Sequence, residues 1–194
     1  MKKIGICGGI GSGKSVISRV LKNFGFNVYD SDSAAKSLTN TDVFIRAALI
    51  EKFGKEVYDG EFLDRQFLAQ RIFSNDKDRI FVNQVVHPVV AADFLSWAAS
   101  FQNSEVVFIE SAILYESEIA QFLDASIFVD APLEVRVERV MRRNGCSKDD
   151  AFARVAVQNV ELDKERSRFI IQNDNKEFVS KQLIAVLKQL IKVS

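Results

Sequence analysis

The chain has 194 residues, with 26 Lys+Arg balanced by 26 Asp+Glu, so its formal net charge is zero. That length suits one sizeable core with at most a small appendage, and the even charge balance supplies no basic field to steer a nucleic acid. Apolar residues make up 47% and no run reaches the length of a membrane span, while Cys7 and Cys146 lie too far apart to form a ligand or redox motif. A disulfide scaffold is therefore not indicated, and a reduced, cytoplasmic setting is the expectation. The first apolar run is too short and too rich in glycine for a signal peptide. Most of the 16 phenylalanines are read as core packing.

In chain order, KIGIC at 3–7 is a short apolar run before glycines and predicts a buried strand. Val16, Ile17, Val20, Leu21 and Phe24 fall at helical spacing, and Gly25 ends that helix. FNVY at 26–29 predicts a second strand running up to Asp30. Strand, glycine loop, helix, strand is the opening of a parallel α/β sheet. Residues 33–101 then carry helical periodicity almost throughout, at 42–53, 64–73 and 78–99, with Pro88 marking a new turn or a kink in the last. Strands resume at 105–109 and 126–129, and Pro132 opens a helix rich in arginine. Residues 145–165 are polar and helical, 168–171 form a last strand, and 176–192 a closing helix with Leu183, Val186, Leu187, Leu190 and Ile191 on its apolar side.

Residues 8–15 read GGIGSGKS and fit G-x-x-x-x-G-K-[ST] in full, between a predicted strand and a predicted helix. In such a loop successive backbone N–H groups turn inward to phosphate oxygens, and Cβ atoms would obstruct the required dihedrals. Lys14 reaches the β- and γ-phosphates of a nucleoside triphosphate, and Ser15 ligates Mg²⁺. A dinucleotide-binding loop needs neither Lys14 nor Ser15, although Asp30 and Asp32 stand near the position of its ribose-binding acid.

A phosphate loop defines a superfamily and not a reaction. Asp30 and Asp32 follow the second strand, where the carboxyl ends of strands line the ligand crevice. A carboxylate there takes the proton of an attacking hydroxyl, holds magnesium, or caps a helix. Asp32 is the choice for the base; Asp30 stays open between cap, metal shell and loop support. Glu110, after VVFI, either arranges water around Mg²⁺ or begins a loop. Arg136, Arg139, Arg142 and Arg143 cannot all face one way on a helix; they form a solvated face, or one or two clamp phosphates and adenine. His87 is the only histidine and by local pattern is a packing residue. The helical insertion favours an acceptor pocket over simple hydrolysis, because a kinase must exclude water.

Taken together these residues resemble the dephospho-coenzyme A kinase family. GGIGSGKS is followed by FNVYDSDSAAK, then FLDRQFLAQRIF (62–73), VVHPVV (85–90), ILYE (113–116), IFVDAPLEVRVERVMRRNG (127–145), RVAVQN (154–159) and FIIQND (169–174), in family order. The resemblance implies a three-layer P-loop NTPase core of α/β class with a parallel sheet, formed by 1–34, 102–137 and 166–194. It also implies a helical acceptor-binding domain at 35–101 and a small helical lid at 138–165. The implied activity is ATP- and Mg²⁺-dependent phosphorylation of the ribose 3′-hydroxyl of 3′-dephospho-coenzyme A. Charge balance and hydropathy call for neither nucleic acid nor membrane as a partner, and a monomer is expected, although the sequence does not fix the oligomeric state. Asp32 would be the base, Arg65 and His87 would lie toward the acceptor, Arg139 and Arg143 would belong to the lid and γ-phosphate environment, and Asn173 would approach the ATP base. Gly9, Ile10, Gly11, Ser12, Gly13, Lys14, Ser15 and Val16 would line the nucleotide. Ala112 stands in SAILYE where the family has proline, which relaxes one φ angle but removes no chemical group. Tyr115 is polar at a position often apolar, free to hydrogen-bond or to pack. Competing readings are another small-molecule or nucleoside monophosphate kinase, a regulatory NTPase, and a non-enzymatic nucleotide-binding protein.

Overall fold

A computed structural model describes residues 1–156, 158 and 160–191. Parts of two sequence expectations, residues 157 and 159 of the RVAVQN segment and residue 192 of the closing helix, lie outside these. In chain order the elements are β1 (Lys2–Cys7), α1 (Lys14–Asn23), β2 (Val28–Asp30), α2 (Ser31–Thr41), α3 (Val43–Phe53), β3 (Tyr58–Asp59), β4 (Phe62–Leu63), α4 (Arg65–Ser74) and α5 (Asp76–Ala99). They continue with β5 (Val106–Glu110), β6 (Ala125–Asp130), α6 (Leu133–Asn144), α7 (Lys148–Ala156), α8 (Glu161–Arg166), β7 (Phe169–Gln172) and α9 (Val179–Leu190). The chain divides into two units, Met1–Asp30 with Ala98–Ser194, and Ser31–Trp97.

The first unit is built on a five-stranded sheet in the order β2-β5-β1-β6-β7, and every pairing in it is parallel. Its strands read as nearly unbroken apolar runs because both faces are covered. On one face Ile4, Ile6, Val106, Phe108, Ile127, Val129, Phe169 and Ile171 meet Ile17 and Leu21 of α1 and Leu183, Val186, Leu187 and Leu190 of α9. On the other, Val107, Ile109 and Phe128 are buried, and Leu114 and Leu123 lie against Gly5. Burying each such side chain stabilises the unit by about 1.5–3 kcal/mol. The α1 helix ends as the sequence predicts: its last residue is Asn23 and Gly25 follows at φ +86°. α6 packs on α7 through a separate small cluster of Val137, Val140, Ala151 and Val155.

The second unit is mostly helical, with one departure from expectation. A hairpin, β3 paired antiparallel with β4, interrupts the helices and turns at Gly60, φ +60°. It is tied to its neighbours by Arg46 Nη1 donating to the Glu61 carbonyl at 2.7 Å and by the Leu63 N–H donating to Asn40 Oδ1 at 2.8 Å. Pro88 does not end its helix, since α5 is continuous from Asp76 to Ala99. Proline forfeits one main-chain hydrogen bond there, while Val85, Val86, Val90, Ala91 and Phe94 of the same helix are buried and hold it.

Candidate active site

The loop at 8–15 leaves the carboxyl end of β1 and enters α1. Gly13 is the residue that caps α1, at φ +96° and ψ +30°, and a Cβ there would strike the Asn173 side-chain amide. Gly11 sits at φ +79°, and a Cβ on it would lie 2.5 Å from the Arg136 carbonyl oxygen. These two glycines answer to left-handed backbone and close approach together. Gly11→Ala is therefore expected to weaken ATP binding at least about tenfold by displacing the loop from α6, measured by calorimetric titration.

No acidic side chain occupies the first turn of α1, and no side chain caps it. Its positive end therefore faces the loop undiminished, as an anion site requires. Lys14 Nζ donates to the Gly8 carbonyl at 2.8 Å and the Gly9 carbonyl at 3.4 Å, which folds the ammonium over the concave side of the loop. Ser15 and Val16 follow on the exposed side of the first turn. This is a cradle that glycine backbone, one ammonium and a helix terminus make for a chain of phosphates.

The loop is held from outside by residues far away in sequence. Asn173 Nδ2 donates to the Ser12 carbonyl at 2.7 Å, and the Asn173 main-chain N–H donates to the Asp130 carbonyl at 2.7 Å. Arg139 directs Nη1 to the carbonyls of Gly11 and Ser12 at 3.3 and 3.1 Å, and Nη2 to the Asn173 carbonyl and to Asn175 Oδ1 at 3.0 and 2.6 Å. Burial draws the Arg139 guanidinium below its ordinary pKa. Arg136 lies deeper, with Nε donating to the Ile10 carbonyl at 3.0 Å. The four arginines separate as the helical spacing required: Arg142 pairs with Glu138 at 2.8 Å and Arg143 donates to Asn144 Oδ1 at 3.1 Å, both on the exposed side. The structure thus brings Arg139 and Asn173 to the loop and leaves Arg143 at the surface.

Carboxylates gather where the sequence placed them, at the ends of β2 and β5. Asp30 and Glu110 are register partners, and Glu110 Oε2 accepts from Ser18 Oγ of α1 at 2.6 Å. Ser15 and these carboxylates are hard oxygen donors. Among the described residues no group of three or more His, Cys, Asp and Glu could hold a metal. Hard oxygens of this kind are the donors Mg²⁺ takes, alongside waters and phosphate oxygens. In the second unit Asp32 lies exposed in the first turn of α2, two residues beyond β2. Arg65 opens α4 on its exposed face, where Asp64 caps the helix by accepting from the N–H groups of Gln66 and Phe67. His87 is half-buried on α5.

Two further contacts to the loop escape sequence reasoning. Gln158 Oε1 accepts from the Ile10 N–H at 2.6 Å, and nothing local marks Gln158 for that role. Arg136 had a visible signal, a charged residue on the stripe that buries Val137 and Val140. The turn at Ala112 is held by hydrogen bonds on either side: Ser111 Oγ accepts from the Ile113 N–H at 3.2 Å, and the Ser117 N–H donates to the Ile113 carbonyl at 3.0 Å. Tyr115 does hydrogen-bond, its hydroxyl meeting Ser126 Oγ. Cys7 ends β1 as a buried thiol, and burial pushes its pKa up to about 11, against a smaller opposing effect from Ser167. It stays protonated and serves packing, not nucleophilic chemistry.

A parallel sheet in this strand order, with a GxxxxGKS loop leading from its central strand into a helix, defines a P-loop kinase-type α/β protein. The family model for Dephospho-CoA kinase matches residues 2–178. The Dephospho-CoA kinase of Bacteroides fragilis (strain YCH46) is 39% identical over 186 residues, covering 95% of this chain and 91% of that protein. That of Porphyromonas gingivalis is 44% identical over 161 residues, covering 83% and 79%. Among solved structures, TT1252 from Thermus thermophilus superposes with a TM-score of 0.84 at 33% identity, covering 98% of each chain. The chain belongs to the dephospho-CoA kinase family. No helix among the described residues is long and apolar enough to cross a membrane.

Proposed function

We propose that this chain transfers the γ-phosphoryl group of ATP to the ribose 3′-hydroxyl of 3′-dephospho-coenzyme A, giving coenzyme A and ADP, the last step of coenzyme A synthesis. The observation that carries the reading is the phosphate loop, shaped by Gly11 and Gly13 and overlaid by the Lys14 ammonium, in a chain of this family. The proposed enzyme acts as a monomer on two small molecules in the cytoplasm, and its free thiols fit a reducing compartment.

Loop amides and the positive end of α1 bind the phosphates of ATP, and Lys14 moves from the loop carbonyls to phosphate oxygens. Ser15 would hold Mg²⁺, helped indirectly by Glu110, Asp30 or Asp32; the ion when bound offsets charge on the phosphates. Asp32 orients the acceptor hydroxyl and takes its proton. Arg139, already joined to the loop, keeps the carbonyls of Gly11 and Ser12 turned outward so that neighbouring amides face the ligand. Arg143 remains available on α6 to stabilise charge on the transferring group. Asn173, fixed against Ser12, borders the nucleotide base. The acceptor is bound by Arg65 and His87, and residues 138–165 act as the lid that excludes water.

Arg65→Ala is expected to raise the acceptor KM about tenfold or more, as loss of a charge-assisted hydrogen bond does, and to leave the ATP KM within about twofold. Steady-state kinetics with each substrate varied checks this; an unchanged acceptor KM removes Arg65 from the pocket. The function itself is tested by an acceptor screen that follows ADP release with dephospho-coenzyme A, adenylate, shikimate and simple sugars. Turnover with dephospho-coenzyme A alone supports the proposal. Turnover with another acceptor, or equal ADP release without any, replaces it by another small-molecule kinase or a regulatory NTPase.

A further inference from the structure

Ile10, at the tip of the phosphate loop, is held in three independent ways by the α6–α7 region. Its N–H donates to Gln158 Oε1 at 2.6 Å, its carbonyl accepts from Arg136 Nε at 3.0 Å, and its side chain packs on the cluster of Val137, Val140, Ala151 and Val155. The N–H belongs to the Gly9–Ile10 peptide and the carbonyl to the Ile10–Gly11 peptide, so neither of these consecutive peptides can rotate without breaking its bond. Arg136 is the unusual member of this clamp. It is only 8% exposed, its guanidinium lies where a Gly9 side chain would be, and Nη2 is buried without a hydrogen-bond partner among the described residues.

A buried guanidinium of this kind is costly. Burial lowers its pKa, and the negative charge of Asp130 opposes that shift. Asp130 is itself paired with Lys164 at 2.7 Å, so its compensation is shared. Replacing such a charge by an apolar side chain of similar volume is often neutral or stabilising. Packing alone therefore gives no reason for arginine here. An anion in the loop does, because a charge screened from water acts on it far more strongly than a solvated one.

We propose that Arg136 is a positioning residue for nucleotide binding: it fixes the Ile10–Gly11 peptide through the Ile10 carbonyl and sets a permanent positive charge behind the phosphate loop. The inference rests on the reading that this loop holds the triphosphate of ATP. It assigns to α6 a function in donor binding separate from that of Arg139 and Arg143.

The test compares the full chain with Arg136→Met, Arg136→Gln and Arg136→Lys by calorimetric titration of ATP, by the KM of each substrate and by thermal unfolding. Arg136→Met is expected to raise the ATP Kd about tenfold or more, the size of one charge-assisted interaction. The acceptor KM stays within about twofold, and the Tm is equal to or above that of the native chain. Arg136→Lys, which keeps the charge and one donor, restores ATP affinity to within about threefold. Should Arg136→Met fail to fold, Arg136→Gln carries the same comparison. An ATP Kd within about twofold of native overturns the proposal. So does a lowered Tm with both KM values unchanged, the pattern of a residue that only supports the fold. A native chain that binds no ATP overturns the loop reading and this proposal with it, a result distinct from native binding that the variants share.

Discussion

Lys14→Ala is expected to lower kcat by about 10³-fold and to weaken ATP binding, with the fold intact. The ammonium lies over the loop, bonded to the carbonyls of Gly8 and Gly9. It is a flexible point charge in a cradle otherwise made of main-chain amides and a helix terminus, so it can follow the phosphoryl group as charge redistributes during transfer. Loss of one such preorganised donor costs about 10²–10³ in kcat, and the full charge that the proposed role puts at the transferring group sets the expectation at the upper end. Arginine should not replace it, since a planar fork in a loop built around glycine does not fit the space of an ammonium. Lys14→Arg is thus expected to recover little of the loss. Stopped-time assays of ADP formation, with circular dichroism to verify the fold, measure both variants. A kcat for Lys14→Ala within tenfold of native would contradict the role.

Asp32→Asn is expected to reduce kcat by about 10²–10⁴, the range for loss of a general base, while the ATP Kd stays within about twofold. Asn keeps the size and hydrogen-bonding reach of Asp, and position 32 is an exposed residue of the first helical turn. In the proposed role, the substitution therefore removes the proton acceptor and little else. Phosphoryl transfer through a loose transition state asks the base for alignment as much as basicity, which sets the effect toward the lower part of that range. Near-normal turnover of Asp32→Asn would remove Asp32 from the chemistry. A raised ATP Kd with unchanged kcat would reassign it to magnesium or nucleotide binding.

Much of the first unit was legible because its demands are local. A buried parallel strand needs an unbroken apolar run, which VVFI and SIFV supply. The phosphate loop needs glycine at fixed positions and lysine and serine at its end, and the loop has them. The Gly25 terminator needed only the chain on either side of it. What escaped depended on distant partners. Four arginines within eight residues look alike in sequence, yet one is buried beneath the loop, one joins the loop to Asn173, and two face solvent. Spacing says that they diverge and cannot say what each meets. The β3–β4 hairpin carried a signal in Asp59-Gly60 between Tyr58 and Phe62, but two-residue strands are too short to outweigh the helical pattern around them. At Pro88 the reverse holds: a strong local breaker yields to the buried face on both sides of it.

The most direct measurement is product identification by ³¹P NMR and mass spectrometry after incubation of the chain with ATP, Mg²⁺ and dephospho-coenzyme A. A new 3′-phosphomonoester formed in equal amount with ADP is the predicted result. Inorganic phosphate released in place of that ester, or phosphate attached at another position, would contradict the account.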